Sequence, residues 1–138
     1  MVKYIPLDIG VDLQASASDL HSFRWRAEGI EADFFIPGDS EHLLRVSFDR
    51  NCIVRLLDEM PLSTENEDSD NEGLVREHFA YRIEGAVFDR SQSEIWKASI
   101  SIYGEPSHYR FVTGATCMDV VTPAKPEFAI VADMNGHA

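Results

Sequence analysis

The chain predicts a mainly β fold, an antiparallel sandwich or barrel-like domain with one or two short helices, with an α+β arrangement as the alternative. Three observations carry this. Apolar and polar residues alternate with a period of two along most of the sequence, the spacing that turns one face of a strand to a core and the other to water. Turn-forming residues part these runs at intervals that suit a meander. A length of 138 residues, 44% of them hydrophobic, makes a single domain over 1–138 that can bury a core without metal or disulfide.

Each element follows from its local pattern. GVDLQASASDLHSF (10–23) lacks strand formers and predicts a helix, with Asp12 or Ser18 as its cap. In HSFRWRA, Phe23, Trp25 and Ala27 share one face while Arg24 and Arg26 share the other, and Glu28-Gly29 then turns the chain. IEADFFIP keeps Ala32, Phe34 and Ile36 in phase until PGDS (37–40) breaks it. HLLRVSF, with Leu44, Val46 and Phe48 on one side, and CIVRLLD flank Asp49-Arg50-Asn51, which reads as a tight hairpin with Asn51 at positive φ. HFAYRIEGAVF is aromatic and β-branched, with Gly85 at a bulge or bend. SQSEIWKASISIY (91–103) alternates from Trp96 to Ile102, which favours a strand with a helical first turn, while Ser91 and Glu94 as a capping box leave a short helix open as the alternative. HYRFVTG, TCMDVVT and EFAIVAD close the chain as three strands parted by Gly114 and TPAKP.

Charge narrows the partners. With 12 basic against 24 acidic residues and a net charge of −12, the chain repels polyanions, and its arginines are scattered singly among acids. Direct nucleic-acid binding and an anionic membrane surface are therefore disfavoured. Cys52 and Cys117 lie in apolar runs and read as buried free thiols. MVKYIPLDIGVDLQ has no continuous apolar stretch and carries Asp8 and Asp12, so no secretory signal or spanning segment is expected and the cytoplasm is the expected location.

Signatures of chemistry are sparse. The chain has no GxSxG, GxGxxG or GxxxxGK[ST], and none of His21, His42, His78, His108 and His137 is spaced from a second ligand as zinc sites require. No enzymatic activity, cofactor or metal is expected. The one biased segment is DEMPLSTENEDSDNEG (58–73), seven acids without a base, which predicts an acidic loop at about 59–73. Asp68, Asp70, Glu72 and Gly73 imitate the start of a calcium loop, but Phe79 stands where the bidentate glutamate belongs. Two readings stay open, a plain solvated loop and a partner-facing one. In the second, Met60 and Leu62 anchor the contact while Glu65, Glu67, Asp68 and Asp70 steer it. Arg82 and Arg110, in FAYR and HYRF, alternate with aromatics and are expected to project outward, which makes them further interaction candidates.

DEMPLSTENE, EHFAYRIEGAVF and HYRFVTGATCMDVV resemble the RsaM-like family of bacterial quorum-sensing regulators, over roughly residues 42–131. The resemblance implies a small β-rich cytoplasmic protein that restrains acyl-homoserine lactone signalling without a recognised DNA-binding motif. It also implies a homodimer and, as partner, a regulatory protein, and it brings no catalytic residues. The lactone itself is a second candidate ligand, with no motif in the chain to support it. An acidic loop would then dock on a basic partner. Two rivals stand beside this: an acidic immunity-type inhibitor of a basic toxin, and a β-barrel holding a small apolar ligand among Trp25, Phe34, Tyr81 and Phe111.

Overall fold

The computed structural model describes residues 1–65 and 71–134. In chain order the elements are β1 (Val2–Pro6), a 3-10 turn (Ala15–Ala17), β2 (Leu20–Arg26), β3 (Gly29–Ile36), β4 (Asp39–Phe48), β5 (Ile53–Asp58) and α1 (Glu59–Thr64). There follow β6 (Asn71–Glu72), β7 (Ala80–Glu84), α2 (Val87–Arg90), α3 (Glu94–Ile100), a second 3-10 turn (Ser101–Tyr103), β8 (Ser107–Phe111), β9 (Thr116–Thr122) and β10 (Glu127–Ala132). The fold is mainly β, as the alternation predicts, and it takes the sandwich form: two open sheets instead of a closed barrel.

The larger sheet has the order β5-β9-β8-β7-β1-β6 and the smaller β10-β4-β3-β2. Every pairing is antiparallel except β1 with β6, which is parallel. Between the sheets, Ile30, Ala32, Phe34, Leu44, Val46 and Phe48 of the small sheet meet Ala80, Tyr109, Phe111, Met118 and Val120 of the large one. Phe34 packs edge-on against Phe79 with ring centroids 4.8 Å apart, a contact that adds to the area burial of both rings. Cys52 and Cys117 are buried free thiols, and burial pushes the Cys52 thiol up to about 11.

Five expectations need correction. First, β4 and β5 lie in different sheets, so Asp49-Arg50-Asn51 is a crossover and not a hairpin. Glu77 is the single non-glycine residue at positive φ among the described residues, so Asn51 does not adopt it. Second, residues 10–23 form only the 3-10 turn Ala15–Ala17, which has no side-chain cap at its start. Ser18 sits at the end of that turn and donates its hydroxyl to the Phe35 carbonyl. Third, residues 94–100 are helical, and the cap is Ser93, whose oxygen accepts from the Trp96 amide, in place of Ser91. Fourth, β1 forms from VKYIP, which the sequence reading passes over. Fifth, the acidic stretch opens with a helix, because Asp58 caps α1 by accepting from the Met60 amide.

Glycine holds two corners of the large sheet. Gly85 ends β7 at φ 85°, the bend expected there. Gly73, at φ 88°, sits so close to β1 that a Cβ would come within 2.0 Å of the Tyr4 carbonyl oxygen, which only glycine permits.

Candidate functional site

The large sheet has a second face, and its strand register explains what gathers there. Because side chains alternate, Tyr109 and Phe111 enter the sandwich core while His108 and Arg110 leave it on the far side. Register then lines up Arg55 with Asp119, Asp119 with Arg110, and Arg110 with Tyr81. The result is a row of polar groups crossing four strands.

This face is covered. Phe88 of α2 lies 5.5 Å from the His108 ring, centroid to centroid, and the Arg55 guanidinium sits 4.6 Å over the same Phe88 ring. Leu62 of α1 and Ile100 of α3 are the buried residues of their helices. Val2, Tyr4, Tyr81, Ile83 and Ala86 form an apolar cluster beside the row.

Asp119 is the hub. It is fully buried and accepts from His108 Nε2 at 2.6 Å and Arg110 Nε at 2.7 Å on Oδ1, and from Arg55 Nε at 2.8 Å on Oδ2. The outer ends of the row are tied as well. Arg55 binds Glu65 through both terminal nitrogens at 2.5 and 2.6 Å, and Arg110 Nη1 donates to the Tyr4 hydroxyl at 2.9 Å. Burial alone would raise the Asp119 carboxyl, but the His108 bond and the Arg110 charge outweigh it and pull the group down to about 2. Among the described residues two buried atoms, His108 Nδ1 and Arg110 Nη2, find no hydrogen-bond partner, a cost that the charged bonds to Asp119 must offset.

A fully buried carboxylate bound by three donors holds its charge in place. Two open cavities lie elsewhere. One of 650 Å³ opens between Arg26, Gly29, Phe48 and Lys125, and one of 580 Å³ between Ile9, Leu13, Arg76 and His78. The arrangement therefore works as an anchor: the buried bonds of Asp119 and Arg110 join β1, β5, β8 and β9, and the Arg55–Glu65 pair, with side chains 25% and 21% exposed, ties the end of α1 to its rim.

The sequence candidates separate accordingly. Met60 is exposed on α1, at 68% of its area. Leu62 is buried and anchors the helix instead of meeting a partner. Glu65 is committed to Arg55, so it is not a free steering charge. Glu67, Asp68 and Asp70 lie outside the described residues, and so does half of the calcium-like pattern; Phe79, at its closing position, is wholly buried in the core. Arg82 is half-exposed and pairs with Glu84. Arg110 is 1% exposed: it points away from the sandwich core as the alternation requires, but into a second buried layer, so it is no surface candidate. Trp25, Phe34, Tyr81 and Phe111 do not share a cavity, since Phe34 and Phe111 fill the core, Tyr81 lies on the opposite face of its sheet, and Trp25 is half-exposed beneath Arg50.

Sequence reasoning missed Asp119, His108, Arg55 and Tyr4. One signal was present: in TCMDVVT a lone acid interrupts a run that the core should fill, and a buried charge demands cationic partners. Among the described residues no group of three or more His, Cys, Asp or Glu is placed to hold a metal ion, and no helix is long and apolar enough to cross a membrane. The chain thus defines a two-sheet β sandwich with a roofed ionic layer on its larger sheet. No family model, curated protein or solved structure matches it.

Proposed function

We propose that this protein is a non-enzymatic negative modulator of acyl-homoserine lactone signalling that works through a protein partner in the bacterial cytoplasm. One observation supports the reading above the others. The three strings that carry the family resemblance, 58–67, 77–88 and 108–121, meet in the ionic layer of the large sheet. Glu65, Phe88, His108, Arg110 and Asp119 all come from them, and only Arg55 and Tyr4 come from outside. Residues that look like a family pattern thus build one physical unit.

Partner binding in place of DNA binding follows from charge and from helix length. A net charge of −12 opposes contact with phosphates, and the longest described helix, α3, has seven residues, too short for a recognition helix in a major groove. The homodimer implied by the resemblance belongs to the same proposal, with sedimentation as its test.

The deciding experiment deletes and restores this gene in a lactone-producing bacterium that carries it. The readouts are lactone level and synthase-promoter activity. Raised signal that complementation reverses is expected. Unchanged signal and promoter activity would overturn the reading and favour the toxin-inhibitor alternative.

A further inference from the structure

Helix α3 turns an apolar face outward. Trp96, Lys97 and Ile100 point toward the fold, the Lys97 ammonium bound to the Asp89 carboxylate and carbonyl at 2.9 and 2.8 Å. On the opposite side Ile95 is 82% exposed, Ile102 is 80% exposed and Tyr103 is 64% exposed. Ala98, also exposed, lies between the two isoleucines. Positions 95 and 98 lie one turn apart on α3, and the 3-10 turn after it (Ser101–Tyr103) carries Ile102 past the end of the helix. Concentrated exposure of this kind marks an interaction surface.

The charges around the face select the occupant. Exposed Glu94 and Glu105 flank it and make no ion pair among the described residues, while the nearest lysine is already taken by Asp89. An antiparallel second copy would bring Ile95 against Ile102 of the other chain and set Glu94 beside the end that carries Glu105, twice over. Like charges so placed oppose self-pairing. We infer that the exposed face formed by Ile95 and Ala98 of α3 and Ile102 of the 3-10 turn that follows is the docking surface for a cationic amphipathic helix of a partner protein, its apolar side chains packing on Ile95 and Ile102 and Lys or Arg meeting Glu94 and Glu105. This deepens the proposed function by giving the partner a footprint, and it rests on the reading that the protein acts through a protein.

The test uses the full chain and two synthetic 18-residue helical peptides with leucine on one face, one carrying lysine on the other face and one carrying glutamate. Trp96 fluorescence and calorimetry at physiological salt follow binding. The lysine peptide is expected to bind in the micromolar range, the glutamate peptide at least tenfold more weakly. The double variant Ile95→Ser/Ile102→Ser, altered only at exposed positions and checked for folding by circular dichroism, is expected to lose at least tenfold for the lysine peptide. Glu94→Gln/Glu105→Gln should lose several-fold and part of the salt dependence. Equal binding by native chain and double serine variant overturns the proposal, as does equal affinity for the two peptides. A native dimer that the serine variant converts to monomer overturns it too, because the occupant is then a second copy. The gene-deletion result stands apart from this titration, so regulation and footprint can fail separately.

Discussion

The two sheets use one electrostatic device in opposite surroundings. In each, a carboxylate on an inner strand is held by arginines from neighbouring strands: Asp119 by Arg110 and Arg55 in the large sheet, Asp33 by Arg45 and Arg24 in the small one. Asp33 lies under arginines that are themselves 26% and 30% exposed, with Glu31 sharing them at the surface. Asp119 is instead fully buried beside a fully buried Arg110, and its other partners, His108 and Arg55, pack against Phe88, with Arg55, 25% exposed, at the rim. The same ion pairs therefore differ in what their loss exposes. Removing Asp33 releases arginines that can turn to water, whereas removing Asp119 strands a guanidinium where water does not reach.

That contrast can be broken by mutation. Asp119→Asn should destabilise by roughly 3–5 kcal/mol, the cost of leaving a buried charge unpaired, read as a large fall in the urea midpoint. A loss below about 1 kcal/mol would mean that water already enters the layer. Acid sharpens the point. The folded Asp119 carboxyl lies near 2, below its ordinary 3.8, so its stabilisation is complete above about pH 4 and disappears as pH falls toward 2. Urea titrations across that window should show native stability falling toward that of Asp119→Asn, with no such convergence above pH 5.

Smaller effects belong to the small sheet. Asp33→Asn should cost about 1–2 kcal/mol, the scale of charge-assisted hydrogen bonds at a partly wetted site. Its Asp33 carboxyl is also held below the usual range, burial being outweighed by the bonds from Arg45 and Arg24, so this loss too fades in acid. Smallest is the salt response. Raising sodium chloride from 0.1 to about 1 M shortens the screening length to about 3 Å, and should shrink the Asp33→Asn effect while leaving the Asp119→Asn effect nearly unchanged. Equal salt sensitivity at both sites would erase the distinction.

Much of this was legible in the sequence, and the failures share a cause. Strands β2, β3, β4, β8, β9 and β10 follow from alternation because one face of each meets a single core. Alternation is silent about a second core. HYRF announces correctly that Arg110 leaves the aromatic side, yet nothing local says that α2 will roof that side. The same limit hid the crossover at 49–52, since switching sheets depends on partners far along the chain. In α3 and the 3-10 turn after it, Trp96, Ala98, Ile100 and Ile102 fit a period of two, but Trp96 and Ile100 are also one helical turn apart. The cap decides: the Ser93 oxygen accepts the Trp96 amide and starts the helix.

The order of strands in the sheets also sets a timetable for synthesis. Lys3 pairs with Glu84, Ile53 with Val121 and Ser47 with Glu127, so the larger sheet cannot be completed before β9 (Thr116–Thr122) has left the ribosome, nor the smaller before β10 (Glu127–Ala132). Such distant pairings fold slowly, on the order of milliseconds to seconds. Until β9 arrives, β5 waits with an open edge and Arg55 without the carboxylate it will share. A nascent chain stalled before residue 116 would hold both arginines of the ionic layer but not its acid, and truncation there should yield an aggregating product instead of a smaller stable domain.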